Sequence, residues 1–397
     1  MHHIFHIADT HFGPSTSFGS IYQKAQQKFF LDELTVSILG YKIKREKDTC
    51  SLVIAGDLWK KATPAKSDLI FGIECINHSI NAINSSKDVI VIDGNHDIAI
   101  DEQLERINRV FESECTMSNI EVLDDNQNVV FRYLSTNGII AFDYISKSIT
   151  MEDMIKVGNL IKEADVAVLH GSLDGVKISD TYTLPKKARG FTQSFLDEYA
   201  PKQKLVLMGD IHYPQEITTK NKCKIIYCGS PIPVDYGERH AHGYYIHTFE
   251  DDGTYVNSDF KKINILQPIV LEVDCLDLGI KDDISLIKYI NQELEKEIID
   301  TYRYHCCQLR LRNPSAALIS AVEKSERKIL YEGITGIDYF DLDIKNMLLN
   351  PKKKGTIIYK EEETSISDNL TKYFKSIKSP ISINDIINRH NEIERLI

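Results

Sequence analysis

The sequence predicts an α/β fold, with sheets covered by helices, on three observations. Short apolar runs rich in Val, Ile and Leu recur through the first 260 residues. Each is bounded by Gly, Asp or Asn, as buried strands are. Helical stretches alternate with them, the pattern of strands packed beneath helices. The 397 residues are 42% hydrophobic and 26% charged, ordinary for a globular protein and enough for two or three domains. Intrinsic disorder, collagen-like repeats and a small disulfide scaffold are excluded for the whole chain. Lys and Arg total 47 against 58 Asp and Glu, a net charge of −11. A chain this acidic does not attract nucleic acid through a general basic field.

The elements follow in order. A strand at 4–8 comes at once, with no basic n-region or apolar h-region before it, so no secretory signal is expected. Helix 22–46, strand 51–55, helix 65–84, strand 89–92 and helix 101–112 come next. Residues 119–143 read as antiparallel, with Asn126-Gln127-Asn128 as a hairpin turn and a last strand at 138–142. Helix 151–163, strand 166–169, helix 192–199 and strands 205–208, 224–227 and 244–249 complete the section. No apolar run reaches the roughly 18 residues of a membrane span.

Composition shifts after Lys262. Strand 268–273, helix 284–299, strand 305–311, helix 315–331 and strand 336–344 form a small second α/β unit. Asn350-Pro351-Lys352-Lys353-Lys354-Gly355 and Lys360-Glu361-Glu362-Glu363 then read as a charged linker. Two amphipathic helices close the chain. One carries Leu370, Tyr373, Phe374 and Ile377; the other starts near Ser382 and carries Ile386, Ile387, His390 and Ile393. The domain boundaries are therefore 1–262, 263–348, 349–364 and 365–397. The eight cysteines form no C-x-x-C pair and mostly sit in apolar runs, which predicts buried, reduced thiols in a cytoplasmic protein. Cys306 and Cys307 fall on alternate faces of one strand and need no redox role.

The polar residues at the strand ends carry the chemistry. Asp9 and His11 follow the first strand, Asp57 the second, and Asn95, His96 and Asp97 the third. His170-Gly171 and Gly209-Asp210-Ile211-His212 end two later strands. In an α/β sheet the carboxyl ends of neighbouring strands open onto one crevice. Glycines 56, 94, 171 and 209 are expected to turn the backbone sharply beside each candidate ligand. Asp, His and Asn without thiolates suit Mn²⁺, Mg²⁺, Fe or Zn²⁺. One bridging carboxylate can hold two ions about 3.5–4 Å apart, as in-line phosphoryl displacement requires.

In order, D-x-H, G-D, G-N-H-D, H-G and a final G-x-x-H resemble the motifs of the calcineurin-like metallophosphoesterases. Tyr227-Cys228-Gly229-Ser230-Pro231-Ile232-Pro233, then Gly237-Glu238, resembles the tract after the last ligand in SbcD-type nucleases, and so does Pro214-Gln215 after His212. These are nuclease subunits of a recombination and double-strand-break repair complex. The resemblance covers roughly residues 1–250 and is architectural beyond 265. It implies a four-layer αββα sandwich as the nuclease domain, a small α/β cap that binds DNA, and C-terminal helices that dock a partner. It implies two divalent ions, Mn²⁺ first and Mg²⁺ as the alternative. Asp9, His11 and His212 would hold one ion, Asp57 would bridge, and Asn95, His170 and Asp210 would hold the other. His96 would stand over the phosphate and protonate the leaving oxygen, with Asp97 orienting it.

The pattern departs from the family at two places. Asp210 stands where the family has His; its carboxylate favours Mn²⁺ or Mg²⁺ over softer ions. Lys60, after Trp59, replaces a residue tied in the family to handling the scissile strand. Lys60, Lys187 and Arg189 are candidate contacts to DNA phosphates. Lys186 and 352–354 are further basic positions, whereas 42–47 reads as a solvated face. His240 and His242 read as exposed loop histidines rather than a third metal site.

The implied function is a Mn-dependent 3′→5′ exonuclease and single-strand or hairpin endonuclease. It would work as a homodimer joined to an SbcC-type coiled-coil ATPase, on DNA and away from membranes. The alternative is a small-molecule or cyclic-nucleotide phosphodiesterase of the same fold; a second is a non-catalytic scaffold. A protein phosphatase is disfavoured, because Trp59-Lys60-Lys61-Ala62 stands where that branch has Asp-Arg-Gly.

Overall fold

A computed structural model describes residues 1–44, 48–61, 63–83, 88–97, 116–117, 120–146, 149–185, 191–200, 205–323 and 333–343. The first sheet contains β1 (His2–Ile7), β2 (Thr49–Ala55), β3 (Val89–Ile92) and β4 (Thr116–Met117), with β12 (His242–Phe249) and β13 (Tyr255–Ile263) on the other side of β1. Its strand order is β13-β12-β1-β2-β3-β4, and β1 through β4 run parallel. The second sheet contains β5 (Ile120–Leu123), β6 (Val129–Thr136), β7 (Ile139–Phe142), β8 (Val166–His170), β9 (Leu205–Gly209), β10 (Gln215–Thr218) and β11 (Lys224–Tyr227). Its order is β10-β11-β9-β8-β7-β6-β5, with β7, β8, β9 and β11 parallel.

Side-chain alternation along these strands builds the layers. Residues 4, 53, 90, 139, 141, 166, 168, 205, 207 and 226 point between the two sheets and form one apolar core. Their neighbours Phe5, Ile7, Leu52 and Ile54 face the other way, against helices α1 (Gly19–Lys28) and α3 (Lys66–Ala82). On the second sheet Phe142, Leu169, Val206 and Met208 face outward, against α4 (Met151–Glu163) and α5 (Gln193–Tyr199). Strands buried on both faces read as continuous apolar runs, which is why every predicted one is present. The result is the expected order of helix, sheet, sheet, helix.

The long predicted helix at 22–46 begins earlier, at Gly19, and contains a π-helical stretch, Phe29–Thr35, before α2 (Val36–Lys44). The wider turn buries Phe29, Phe30 and Leu34 together, and the Thr35 hydroxyl donates to the Phe30 carbonyl at 2.6 Å. The predicted hairpin forms between β5 and β6: Gln127 has φ +65°, and Asp124 accepts from the amides of Asn126 and Asn128. Thr150 and Thr192 cap α4 and α5 by accepting from Asp153 N and Phe195 N. Strands β10 and β13 were not anticipated. Both are polar along one face, and β13 alternates Asn, Asp and Lys with partly buried positions. The helix expected at 101–112 lies outside the described residues.

After β13 a third, parallel sheet follows: β14 (Leu266–Asp274), β15 (Tyr304–Arg312) and β16 (Tyr339–Asp343). Helices α6 (Asp283–Glu297) and α7 (Ala316–Glu323) accompany it, and its core joins Ile269, Leu271 and Val273 to Leu286, Ile290 and Leu294. Leu266 and Cys306 also belong to the core of the first sheet's helical face, and residues 1–349 form one compact unit. The linker and terminal helices predicted at 349–364 and 365–397 lie outside the described residues. The seven described cysteines are buried and unpaired, and Cys306 and Cys307 lie side by side on β15 as expected. Among the described residues, no helix is long and apolar enough to cross a membrane.

Candidate metal centre

The carboxyl ends of β1, β2 and β3 meet those of β8 and β9 at one end of the sandwich, and the polar strand ends converge there. The backbone is bent to achieve this. Asp9 (φ +53°), His11 (+46°), Asp57 (+51°) and Asp210 (+91°) all lie in the left-handed region. For non-glycine residues that conformation costs about 1–3 kcal/mol each and collects at functional sites. Cross-loop hydrogen bonds enforce it: Asp9 N to Gly56 O, His11 N to Asp57 O and Phe12 N to Leu58 O.

The glycines act in two ways rather than the one expected. Gly56 turns with φ +86°. Gly94 and Gly209 are needed for closeness instead: a Cβ on Gly94 would stand 2.1 Å from Asp57 Oδ1, and one on Gly209 2.0 Å from Ala55 O. No side chain fits at Gly209, where the two sheets' ends touch, or at Gly94, where the loops after β2 and β3 meet.

Asp57 is the centre of the arrangement. Its Oδ2 is 3.9 Å from His11 Nε2, and its Oδ1 is 3.4 Å from His170 Nε2. One carboxylate thus faces two donor sets. Asp9, His11 and His212 form the first, with the two imidazole Nε2 atoms 3.1 Å apart. Asn95, His170 and Asp210 form the second: Asn95 Oδ1 is 2.9 Å and Asp210 Oδ1 4.0 Å from His170 Nε2. Asp210 also ties the sets together, its amide donating to Asp9 Oδ1 and Oδ2 at 3.1 and 3.2 Å.

The histidines are oriented from behind. His170 Nδ1 donates to Ala55 O at 2.8 Å, leaving Nε2 to face Asp57. His212 Nδ1 meets Glu238 Oε1 at 2.5 Å. Such partners fix the tautomer of a ligating imidazole and strengthen it as a donor. Glu238 was present in the Gly237-Glu238 tract but without a role; nothing in its spacing announces that it returns to His212. His240 and His242 reinforce the same loop. His240 Nε2 bonds His212 O, and His242 bonds Ser230 and Glu238 O. His242 is buried, not an exposed loop residue, because it begins β12 inside the sandwich.

The charges show what the site is suited to hold. Burial raises Asp9 to about 7, in spite of the nearby imidazoles. Burial works against protonated His170 and His212, yet Asp57 lifts the former to about 10 and Glu238 the latter to about 9. Buried carboxylates crowded together retain protons on their histidine neighbours, and metal ions displace such protons. The donors are nitrogen and oxygen throughout. The nearby Cys228 thiol is pushed far up by burial and stays neutral. The set fits two divalent ions with Asp57 between them.

His96 lies at the mouth. Its side chain is 48% exposed, with Nε2 3.9 Å from Asp57 Oδ2 and its amide donating to Asp57 Oδ1. Asp97 does not orient that ring. Its buried carboxylate accepts from the amides of Leu58, Trp59 and Gly94, clamping the loop after β2 to the loop after β3. Three inward-pointing amides consume the carboxylate, so Asp97 positions backbone rather than His96. Lys60 is half-buried with its amine 5.9 Å from the centre of the Tyr22 ring, and Trp59 is buried against Phe12. Lys187 and Arg189 lie outside the described residues.

No family model matches the chain, and no curated protein matches it. Solved structures to which it is similar include a 5′-nucleotidase precursor from Thermus thermophilus, at 10% identity over 66% of this chain and 54% of that one, with a TM-score of 0.35. A dimetal phosphatase from Danio rerio shares 10% identity over 66% and 98%, at 0.40. A metallophosphoesterase from Sphaerobacter thermophilus shares 12% over 66% and 88%, at 0.27. The chain spans about half the length of the nucleotidase. These likenesses are slight, and the chemistry of the site rests on its own geometry.

Proposed function

We propose that the chain is a metal-dependent phosphodiesterase that cleaves DNA, the nuclease subunit of an SbcCD-type recombination and repair complex. The observation that carries the phosphoesterase chemistry is Asp57, one carboxylate facing two nitrogen- and oxygen-donor sets. Asp9, His11 and His212 would hold one ion and Asn95, His170 and Asp210 the other. Two ions so held, most suitably Mn²⁺, would supply charge to an attacking and a leaving oxygen in line. His96 reaches over the same carboxylate from solvent, where it can give a proton to a leaving oxygen. Asp97 holds the loop that presents His96.

DNA as the substrate rests on the tract from Tyr227 through Glu238, which resembles that of SbcD-type nucleases, and on Glu238 in that tract bracing His212. A net charge of −11 gives little long-range attraction to a polyanion. Much of the grip is therefore assigned to a homodimer and to a coiled-coil ATPase partner in the cytoplasm, docked through residues 365–397. The purified chain with Mn²⁺ should shorten linear DNA and nick single strands, and chelation should stop it. Intact DNA beside rapid hydrolysis of a cyclic nucleotide would replace this reading with the small-substrate one. Deletion of 365–397 should abolish co-purification with the ATPase while short oligonucleotides are still cut.

A further inference from the structure

Beside the second donor set lies a cavity of about 390 Å³. Asn95, His170 and Asp210 form one end, and Tyr144, Ile145, Ile149, Met154 and Phe191 line the rest. A volume of this size is in the range of small-ligand sites. Its walls are built, not incidental. Phe191 is buried and pinned by its amide to Ser172 O, and its ring lies 3.4 Å from where a Cβ on Gly171 would stand. Tyr144 is fixed by its amide to Asp93 O and meets the His170 ring edge-on, with centroids 6.3 Å apart. Tyr144 is therefore shared between the metal ligands and the apolar wall. Ser146 and Ser172 add hydroxyl groups along the lining.

A ligand that fits is anionic at one end and flat and apolar at the other. We propose that this cavity receives one nucleobase adjoining the scissile phosphate, which makes an unpaired nucleotide a requirement for cleavage. The proposal rests on the nuclease function above and adds to it a substrate rule. A paired base is stacked on both faces and hydrogen-bonded at its edge, so it cannot enter an apolar slot until it leaves the duplex. Stacking on Tyr144 or Phe191 would tolerate any base, because every base has a π-face.

The test uses the full-length chain with Mn²⁺ and single-stranded oligonucleotides in which one abasic tetrahydrofuran residue is moved along the sequence. Cleavage should slow roughly 5- to 150-fold at the bond on one fixed side of the abasic residue, and at no other bond. Met154→Trp, which fills the cavity, should cut the intact strand at the slowed rate and respond no further to the abasic residue. Cleavage indifferent to the abasic residue at every position would overturn the pocket and leave the nuclease function standing. So would a folded Met154→Trp variant that keeps the full wild-type dependence. If that variant does not fold, the wild-type scan decides alone. Failure to cut any strand, with bis-p-nitrophenyl phosphate still hydrolysed, would instead overturn the nuclease function, and the base pocket with it.

Discussion

Two histidine pairs among the described residues meet through their ring nitrogens, one at the strand ends and one within the first sheet, and of these two only the first has carboxylates beside it. His11 and His212 meet Nε2 to Nε2 at 3.1 Å at the strand ends. His6 and His247 meet at 3.3 Å within the first sheet, where β1 lies beside β12. His6 and His11 are five residues apart on one stretch of chain. Their surroundings separate them. Asp9, Asp57 and Glu238 stand around the first pair. The second has the Ser258 hydroxyl on His247 Nδ1 and the Tyr245 ring stacked at 5.8 Å. Burial pushes His6 down to about 3 and His247 well below its ordinary value, so that pair is neutral. At the strand ends burial lowers His11 to about 3 while Glu238 carries His212 up to about 9. Converging imidazoles are thus not enough; carboxylates beside them turn a packed pair into a place for a cation.

The largest effect that sharpens this contrast comes from His96, a histidine that belongs to neither pair. His96→Ala should lower the turnover rate about 10²- to 10⁴-fold, the usual contribution of a positioned acid. Mn²⁺ binding, followed by calorimetry, should remain nearly unchanged, because His96 meets the ligands at their rim. A variant that cuts as fast as the native chain would remove His96 from the chemistry. Next in size is Glu238→Gln. The amide oxygen can still accept from His212 Nδ1, but the charge that raises His212 is gone. Metal affinity should fall about 10- to 100-fold, as when other carboxylates behind ligating histidines are lost. Unchanged affinity would reduce Glu238 to a brace for the Val234 amide, from which it also accepts.

The sequence displayed one side of this contrast more clearly than the other. Asp9, His11, Asp57, Asn95, His170, Asp210 and His212 each follow an apolar run, so the end of each run marked both a strand and a polar residue of the site, while the division into two ligand sets came from the family resemblance. The sandwich was legible for the same reason, since runs buried on both faces carry a strong signal. Glu238 was not, because its partner His212 lies 26 positions away across a loop with no period. The orienting role that the resemblance implied for Asp97 was not legible either way from its position, because its carboxylate turns inward to amides 38 and 39 residues away. Strands β10 and β13 were missed because their exposed faces carry the polar residues that otherwise mark loops.

The smallest effect tests the other pair and is one of stability. Unfolded, His6 and His247 take up protons near pH 6.5; folded, burial holds them neutral far below that. Below pH 6.5 the unfolded chain therefore binds more protons than the folded one. The stability is full above 6.5 and is lost as pH falls toward about 3, the folded value of His6. Each imidazole should contribute up to about 1.4 kcal/mol per pH unit in that window. Replacing both, His6→Leu with His247→Leu, should remove that share of the slope. Ser258 keeps the Tyr255 hydroxyl as a partner at 2.8 Å, so its own hydroxyl is not stranded. Between pH 7 and pH 5, in chelator, the melting temperature of the double variant should fall less than that of the native chain. Parallel curves would mean that the interior pair is not what makes acid destabilising, and the distinction between the two pairs would rest on the carboxylates alone.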